Sequence, residues 1–548
     1  MNFSAISLLI FILLSLARIR AQKGELDSKE IIIEKDRKIE LPETERIFEK
    51  INFDVPREQY PELEYDFKNE PSVKFNELNP KLKAQAIKDS ETLEGKKGKV
   101  SYGLGNYFAN HLAFDYGEKL NQNSSYNLFW NHQSFQRGPV EGKKSGSSSN
   151  TVEGNINYFL KQGKVAATVG VDREVVRYYG YDQSLYNPQD DQLRLISPLY
   201  YTIFHNTLCT KDTQTVITSN FKFYHLTLSR IANRESEIIA NQQGYTYLKP
   251  DLCLKWDFEG SYILRTILQN NVKRHYIQSS ISLLKKLNLI TVEGGIRFAS
   301  SADTIQTAKK LYFYPIANIQ YDLIPQAIGL EISYEGSLQK NNLRTFTRSI
   351  LWLDTHVVVQ HNNIKHKIQG KVKTNISHTL YTTLGFQYHK LDNYHFFVNN
   401  FVKREFFMSV YDKHLSITNI LAEIGFLRER IRTSLIGKYA IVKNKLLDAP
   451  YHFPQFQANW NTRLAFASKL FFTCDAYVLG GIHYLDMYTN KTKSLSDILD
   501  INVKTEYFFS NNFGIFCKFD NILSQKYEWF RYYTVRGFQV QMGIHALF

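Results

Sequence analysis

The feature that most constrains this chain is an alternation of apolar and polar residues with period two, which recurs from about residue 97 onward. Successive side chains of a β-strand point to opposite faces, so each such segment has one face for apolar surroundings and one for water. The residues between the apolar positions of the last segment, 537–548, are polar or small, except Leu547. Its apolar face consists of Phe538, Val540, Met542, Ile544, Ala546 and Phe548.

The same alternation is found in many other segments, including 364–376, 455–466 and 499–509. Together they predict an all-β fold, a transmembrane antiparallel β-barrel of about 22 strands, and single-chain bacterial barrels have even strand numbers. The predicted strands lie near 97–106, 108–119, 124–136, 151–161, 163–180, 195–210, 214–230, 235–248, 250–266, 273–284, 289–302, 309–323, 326–340, 355–376, 379–390, 404–427, 431–443, 454–468, 470–484, 495–509, 513–523 and 537–548.

The connections between these strands are of two kinds, which predicts a barrel with two different ends. Short periplasmic turns and long extracellular loops are typical of outer-membrane barrels, so both termini are expected on the periplasmic side of a Gram-negative outer membrane. The tight turns include Gln162-Gly163, Lys249-Pro250, 285–288, Ser468-Lys469 and Asn511-Asn512. The longer loops include 137–150, 181–194, 341–354, 391–403, 444–453 and 485–494.

The composition agrees with a barrel and excludes several other classes of protein. The 35 Tyr and 38 Phe are suited to strands and to the aromatic girdles of a membrane barrel. A mean hydropathy of −0.34 is too polar for a bundle of membrane helices. The net charge of +14 comes with no nucleic-acid-binding motif, so no nucleic-acid partner is expected.

No catalytic, metal-binding or cofactor-binding motif is present, and the chain is predicted not to be an enzyme. The four cysteines have no metal-ligand spacing, and neither a GxSxG nor an HExxH motif occurs. The isolated histidines are more typical of strand or rim residues than of catalysts; they are His132, His205, His361 and His366.

The N-terminal region differs in texture from the rest of the chain. The apolar run Ile6–Leu16 is shorter than a bilayer span and predicts a signal peptide over residues 1–21. Residues 22–95 are densely charged and rich in proline, which favours an extended or disordered periplasmic segment. Residues 96–548 form the predicted barrel. Ile31-Ile32-Ile33 is read either as a short local strand or as a strand added to a periplasmic partner.

The end of the chain resembles the last two strands of TonB-dependent outer-membrane receptors. The resemblance lies in Asn521-Ile522-Leu523, the Lys526-Tyr527 step, Arg536-Gly537 and the terminal Phe548. It implies a receptor-like barrel that mediates or assists solute uptake. It also implies a C-terminal signal, formed by Phe538, Val540, Met542, Ile544 and Phe548, that the barrel assembly machinery recognises.

The resemblance further implies outer-membrane lipid as surroundings, and TonB or a periplasmic partner contacting residues 30–42. TonB-dependent receptors carry a plug domain of well over a hundred residues, whereas about 74 residues separate the expected cleavage site from the first strand. The alternative function is a surface-exposed binding or structural barrel without transport.

One basic stripe is predicted on an inward face. Lys365, Lys367, Lys371 and Lys373 alternate with apolar residues of the segment 364–376. These lysines are expected either to pair with acidic residues of neighbouring strands or of the N-terminal segment, or to make the lumen selective for anions, as charged rings do in pores.

Overall fold

The structure is a computed structural model that describes residues 96–140, 142–182, 189–210, 214–303 and 311–548. The signal peptide predicted over 1–21 and the periplasmic segment predicted over 22–95, including the predicted contact region 30–42, lie outside the described residues.

Strands account for most of the described chain. They are β1 (Gly98–Gly105), β2 (Ala109–Asn121), β3 (Ser124–Phe135), β4 (Ser147–Leu160), β5 (Gly163–Arg177), β6 (Arg194–Cys209), β7 (Thr215–Leu228), β8 (Asn233–Lys249), β9 (Leu252–Ile267), β10 (Asn270–Leu287), β11 (Ile290–Ala302), β12 (Leu311–Ile324), β13 (Ile328–Gln339), β14 (Asn362–Asn375), β15 (Leu380–Asp392), β16 (Tyr394–Asn399), β17 (Phe407–Asp412), β18 (Leu415–Arg428), β19 (Ile431–Lys443), β20 (Phe456–Ala467), β21 (Leu470–Gly480), β22 (His483–Asp486), β23 (Lys491–Ser494), β24 (Ile498–Phe508), β25 (Phe513–Asp520), β26 (Glu528–Phe530), β27 (Tyr533–Thr534) and β28 (Gln539–Leu547).

Helical elements are few and short. The α-helices of the described residues are α1 (Asp190–Leu193) and α2 (Leu343–Ser349), and two 3-10 turns cover Asn106–Phe108 and Gly142–Ser145. Within the part of the chain that the structure describes, no helix has the length and apolar character needed to cross a membrane.

Twenty-two of the strands form one closed antiparallel sheet, which confirms the predicted barrel and its strand number. Each strand pairs with its neighbour in the chain, apart from the loop hairpins β16–β17, β22–β23 and β26–β27. The ring closes where β28 pairs with β1, with Ile544 opposite Tyr102. Closure satisfies the backbone groups that an edge strand would leave unpaired, which a barrel in lipid requires.

The two faces of the wall differ as the alternation predicts. Met542 of β28 is 60% exposed on the outside, while the adjacent Gln541 is 7% exposed. On β14, Ile368 and Val372 are exposed on the outer face, whereas Lys371, which points to the opposite face, is buried. The outer face is therefore an apolar belt, and the inner face carries the polar and charged residues.

The predicted asymmetry of the two ends is also present. At one end, pairs such as β4–β5 and β20–β21 are joined by two-residue turns. At the other end, the connections between β13 and β14, β15 and β18, and β25 and β28 are long and carry their own helix or hairpin. These are called the short-turn end and the long-loop end below.

Two of the predicted strands were wrong at their starts. The strands predicted over 355–376 and 404–427 begin in the barrel only at Asn362 and Leu415. Residues 404–412 do include a strand, β17, but it pairs with β16 in a separate hairpin. Local alternation cannot distinguish a strand of the wall from a strand of a loop hairpin, because the two differ only in their partners.

Candidate functional site: the lumen and its covered mouth

A polar cavity of about 830 Å³ lies along the inner wall. The inward positions of β9, β11, β13 and β14 supply its charged side chains, because every second residue of these strands faces the lumen. Its ionisable lining residues include Lys255, Asp257, Glu293, Arg297, Glu331, Glu335, Lys367, Lys371 and His389.

Most of these charges are paired with an opposite charge on an adjacent strand or on the next strand but one. The Lys255 ammonium lies 3.1 Å from the Glu293 carboxylate. The Glu335 carboxylate lies 3.1 Å from Arg297 and 2.8 Å from Lys367. Lys367 pairs with Glu335 on the adjacent strand, whereas Lys255 and Arg297 each reach a glutamate two strands away. Such opposite charges compensate one another in a partly desolvated lumen.

The four lysines of the predicted basic stripe do not share one environment. Lys367 and Lys373 contact carboxylates, Glu335 and Glu331, at 2.8 and 3.4 Å. Lys365 lies at a β-bulge near the long-loop end, where its ammonium is 2.5 Å from Asp392. Lys371 is inward and borders the cavity. The bulge separates Lys365 from the regular stripe, which alternation alone does not show.

The mouth at the long-loop end is covered by a structure called the cap here. The cap consists of the connections 178–182, 340–361, 393–414 and 521–538. The tyrosine that follows β5, the helix α2 and the hairpins β16–β17 and β26–β27 pack their apolar side chains together. The buried core of the cap and of the strand ends beside it consists of Tyr178, Leu195, Leu226, Leu228, Ile231, Leu343, Phe346, Ile350, Leu353, Val357, Val359, Phe397, Phe406, Phe407 and Tyr533.

The hairpin β16–β17 reaches across the mouth. It leaves the wall between β15 and β18, yet Arg404 is 3.3 Å from Asp182, which follows β5 on the other side of the ring. With strands about 4.8 Å apart and tilted by about 40°, a barrel of this strand number is on the order of 40 Å across. A ten-residue arm spans about 33 Å, enough to meet loops that lean inward from the opposite wall.

The segment 340–361 is attached to the inner wall by buried charges of β8. Glu237 accepts from Asn342 Nδ2 at 2.7 Å and contacts Lys340 at 2.9 Å and Arg344 at 3.0 Å. Glu235 Oε1 accepts the backbone N–H of Leu343 at 2.7 Å. Two inward glutamates thus hold the first turn of α2 against the wall.

A second buried attachment joins β10 to both ends of the same segment. The Arg274 guanidinium is 2.7 Å from Asp303 and donates to the Asn341 carbonyl at 3.1 Å. The His361 backbone N–H donates to the Asp303 carboxylate at 2.9 Å. Burial and the neighbouring Arg274 lower the pKa of His361 to about 3, so its ring is neutral and accepts from the Asn341 N–H.

His452 is a further buried histidine of the loops at this end. Its ring packs beside Phe407 and Phe530. Its Nδ1 donates to the Phe397 carbonyl at 2.8 Å, and its Nε2 accepts the Arg531 N–H at 3.2 Å. Burial lowers the pKa of His452 to about 4, and an imidazolium would in addition lose the acceptor that the Arg531 N–H uses.

The residues of the predicted C-terminal signal lie along the last strand. Met542 and Ile544 are exposed on the outer face, and Phe538 precedes the start of β28. Phe548 is hydrogen-bonded to Gly98, with its N–H 3.0 Å from the Gly98 carbonyl. The residues of this predicted signal therefore lie on the strand that closes the barrel against β1.

The isolated histidines of the sequence are not brought together. His132 and His205 are hydrogen-bonded to Asn150 and Asn220 on adjacent strands, and His366 contacts Tyr334. Within the described ranges, no group of three or more His, Cys, Asp or Glu side chains could hold a metal ion.

No family model matches the sequence, and no curated protein sequence is similar to it. Solved structures are similar to the described fold. The FrpB iron transporter from Neisseria meningitidis (F3-3 variant) is 9% identical, with a TM-score of 0.66 over 83% of this chain and 82% of that one. The siderophore receptor PirA from Acinetobacter baumannii is 10% identical, with a TM-score of 0.62 over 84% of this chain and 81% of that one.

A mutant form of the ferric enterobactin receptor PfeA from Pseudomonas aeruginosa has a TM-score of 0.61 at 9% identity over 84% of this chain and 81% of that one. The chain has the fold of a TonB-dependent-receptor-like outer-membrane β-barrel. The similar structures are, by name, an iron transporter, a siderophore receptor and a ferric enterobactin receptor.

Sequence reasoning about this receptor-like barrel missed the cap and its attachments. Glu235, Glu237 and Arg274 all lie on inward positions of their strands, and charged residues at such positions are a usable signal. Their partners in the segment 340–361, however, lie 67 to 108 residues further along the chain, so the sequence gives no indication of the pairing.

Proposed function

We propose that this protein mediates or assists the uptake of a polar solute across the outer membrane. The observation that carries the proposal is the closed barrel, with an apolar outer belt and a cavity along its inner wall that is lined by polar and charged side chains. The hydrogen-bonding and charged groups of a polar inner wall replace the water that surrounds a solute in solution. This lowers the free-energy barrier for the solute to cross the bilayer. The cap is proposed to control access to this path.

The likeness to an iron transporter and to siderophore receptors supports uptake only through the shared fold, because the identity is 9–10%. A shared fold does not determine function, because function depends on the particular site that the fold carries. We therefore infer the class of solute from the chemistry of the lumen and not from the similar structures. Coupling to TonB, through residues 30–42, belongs to the same proposal.

The test is ion conductance of the mature protein in planar bilayers, with the cap as the variable. One variant replaces residues 394–412 by a short Gly-Ser turn, and a second lacks residues 22–95. If the cap controls access, the hairpin variant conducts many times more than the intact protein. A matched control shortens the exposed loop 487–490 of the hairpin β22–β23, which lies outside the cap core, and should leave conductance unchanged.

Equal and negligible conductance of the intact protein and both variants would contradict the transport proposal. A large increase on removal of residues 22–95 alone would assign the barrier to that segment instead of the cap. The proposed orientation, with both termini in the periplasm, is tested separately by protease access to the long-loop end in intact cells.

The C-terminal residues are proposed to direct assembly of the barrel. Because β28 closes the ring on β1, a chain whose last strand is not captured cannot close its sheet. Replacing Phe548 by Ser should reduce the amount of heat-modifiable, folded barrel in outer membranes. Replacing the exposed Phe513 at the start of β25 by Ser is the control for the general loss of an aromatic side chain.

A second candidate function is a surface-exposed binding barrel without transport. The specific observation in its favour is that the mouth is covered by loops with a common apolar core, rather than left open. Adhesion or ligand capture that persists in a protein without solute flux would support this alternative.

A further inference from the structure

Two of the charged side chains that line the lumen cavity differ from the others. Eight Asp, Glu, Lys and Arg residues line it, and six of them lie within 4.0 Å of an opposite charge. Among the described residues, the remaining two have no ion-pair partner: Asp257 on β9 and Lys371 on β14. Charged groups in a desolvated position are expected to be paired, so each of the two needs an explanation.

The environment of Lys371 explains why it has no carboxylate partner. Its neighbours across the strands are Glu331 on β13 and Gly385 on β15. The carboxylate of Glu331 lies 3.4 Å from Lys373, and Gly385 has no side chain to offer. Lys371 is only 8% exposed, and it borders the cavity.

The side chains around Lys371 add hydrogen-bonding groups. Gln387 Nε2 donates to Gln369 Oε1 at 2.9 Å, which leaves the Gln369 amide N–H groups for another acceptor. Further along the strand, His389 lies opposite Lys367, and its buried Nε2 has no hydrogen-bond partner among the described residues. Gln369, Gln387 and His389 line the same cavity. An ammonium beside amide donors is suited to an oxyanion, since charge-assisted hydrogen bonds are the strong ones.

We propose that Lys371 anchors a subsite for the oxyanion, carboxylate or phosphate, of a small polar solute. Gln369 and Gln387 orient that group. The Glu331 carboxylate on the strand opposite Lys371 limits the affinity for that group by repelling the anion and by engaging Lys373. Asp257 lies five strands away, about 24 Å along the wall, so it does not neutralise Lys371 across a hydrated lumen. The inference rests on the proposed function, because it names the class of solute that the uptake path takes.

The test measures binding by calorimetric titration of the full-length mature protein in detergent. The probes are succinate and inorganic phosphate, and glucose is the uncharged reference. We expect the wild type to bind at least one anion and not glucose. Lys371→Gln should weaken that binding about tenfold or more, because it removes a charge-assisted hydrogen bond.

The matched control is Lys365→Gln, which removes the same charge from the same strand at a site already paired with Asp392. The affinity of the Lys365→Gln variant for the anion should stay within about twofold of that of the wild type, since the substitution removes no contact with the solute. Glu331→Gln should bind the anion more tightly, because it frees Lys373 beside Lys371. Heat-modifiability on gels checks the fold of each variant, and the gain expected for Glu331→Gln does not depend on Lys371→Gln folding.

Three outcomes would overturn the subsite. They are no anion binding by the wild type, equal weakening by Lys365→Gln and Lys371→Gln, and weaker binding by Glu331→Gln. Preference for succinate over phosphate, or the reverse, decides which oxyanion the solute carries. Binding in detergent requires no translocation. Absence of conductance would therefore contradict the proposed uptake but not the anion subsite, and absence of anion binding would contradict the subsite but not the uptake.

Discussion

The wall of the barrel and the cap over its mouth are stabilised in different ways. The wall is a ladder of backbone hydrogen bonds between strands that follow one another in the chain, and its apolar residues face outward. The cap has little continuous sheet, and its apolar residues face one another. In the cap, contacts such as Tyr533 Oη to the Glu405 carbonyl, at 2.5 Å, join residues far apart in the chain.

This difference has a consequence for stability. A strand of the wall shares its hydrogen bonds with two neighbours, so the loss of one outward side chain changes little. The cap depends on a small buried core and a few buried ion pairs, so single substitutions there should open it locally while the wall stays folded. The following predictions test that contrast, from the largest expected effect to the smallest.

Phe407→Ala should have the largest effect. The ring is fully buried and packs at 5.4–5.8 Å centroid distance against His452, Phe530 and Tyr533. Its loss should destabilise the closed cap by about 3–5 kcal/mol. Hydrogen–deuterium exchange of peptides covering 394–412 is the measurement. Phe386→Ala on the outer face of β15 is the control and should leave that exchange unchanged; equal effects of both would remove the contrast.

Arg274→Ala should have an effect of similar or slightly smaller size. It leaves Asp303 buried without its ion-pair partner and removes the donor to the Asn341 carbonyl. Breaking a buried pair typically costs about 3–5 kcal/mol. Exchange protection of residues 340–361 should fall. Lys255→Ala breaks the more exposed pair with Glu293 and should change protection by less than about 1 kcal/mol. If Lys255→Ala had the larger effect, the assigned attachment would be wrong.

Acidification should open the cap. The pKa of His452 is lowered from 6.5 to about 4 while its ring is buried beside Phe407 and Phe530 of the closed cap, so the imidazole takes up a proton at a higher pH once the cap opens. Stability is therefore full above about pH 6.5 and falls as the pH decreases toward about 4, by up to roughly 3 kcal/mol. Exchange of the cap measured from about pH 7.5 to about pH 4.5, a range that spans this transition, should show the loss after correction for intrinsic exchange.

The variant His452→Gln should flatten part of that pH dependence, since a neutral amide replaces the titrating ring. The remaining dependence should come from the other buried histidines of the long-loop end, including His361. The same slope in the variant and the wild type would show that His452 does not contribute.

Trp352→Phe should have the smallest effect. The indole Nε1 donates to the Arg177 carbonyl at 2.9 Å, while the ring stacks on Tyr533 at 3.8 Å. Phenylalanine keeps most of the stacking and loses the hydrogen bond, so the cap should weaken by about 1 kcal/mol. The temperature at which the cap opens, monitored by hydrogen–deuterium exchange or by limited proteolysis, should fall by a few degrees. A loss of cap stability as large as that of Phe407→Ala would indicate a different role for Trp352.

The predicted strands of the wall agree with the structure to within a few residues at most ends, because a strand between lipid and water is specified by its own residues. For example, β19 begins at Ile431 and ends at Lys443, as the alternation predicts. The charged positions of the lumen were also visible, since Lys367, Lys371 and Lys373 lie on the polar side of one strand. The different roles of these three lysines could not be predicted, because the pairing of each lysine depends on which carboxylate the neighbouring strand supplies.

The sequence by itself determined the closed barrel, the strand number, the two faces of the wall and the difference between its ends. Each follows from local alternation and from the lengths of the connections. Only the tertiary structure decided that the long loops cover the mouth, that Glu237 and Arg274 hold the segment 340–361, and that Lys371 lacks an ion-pair partner among the described residues. Those features depend on residues that are distant in the chain and meet only when the ring closes.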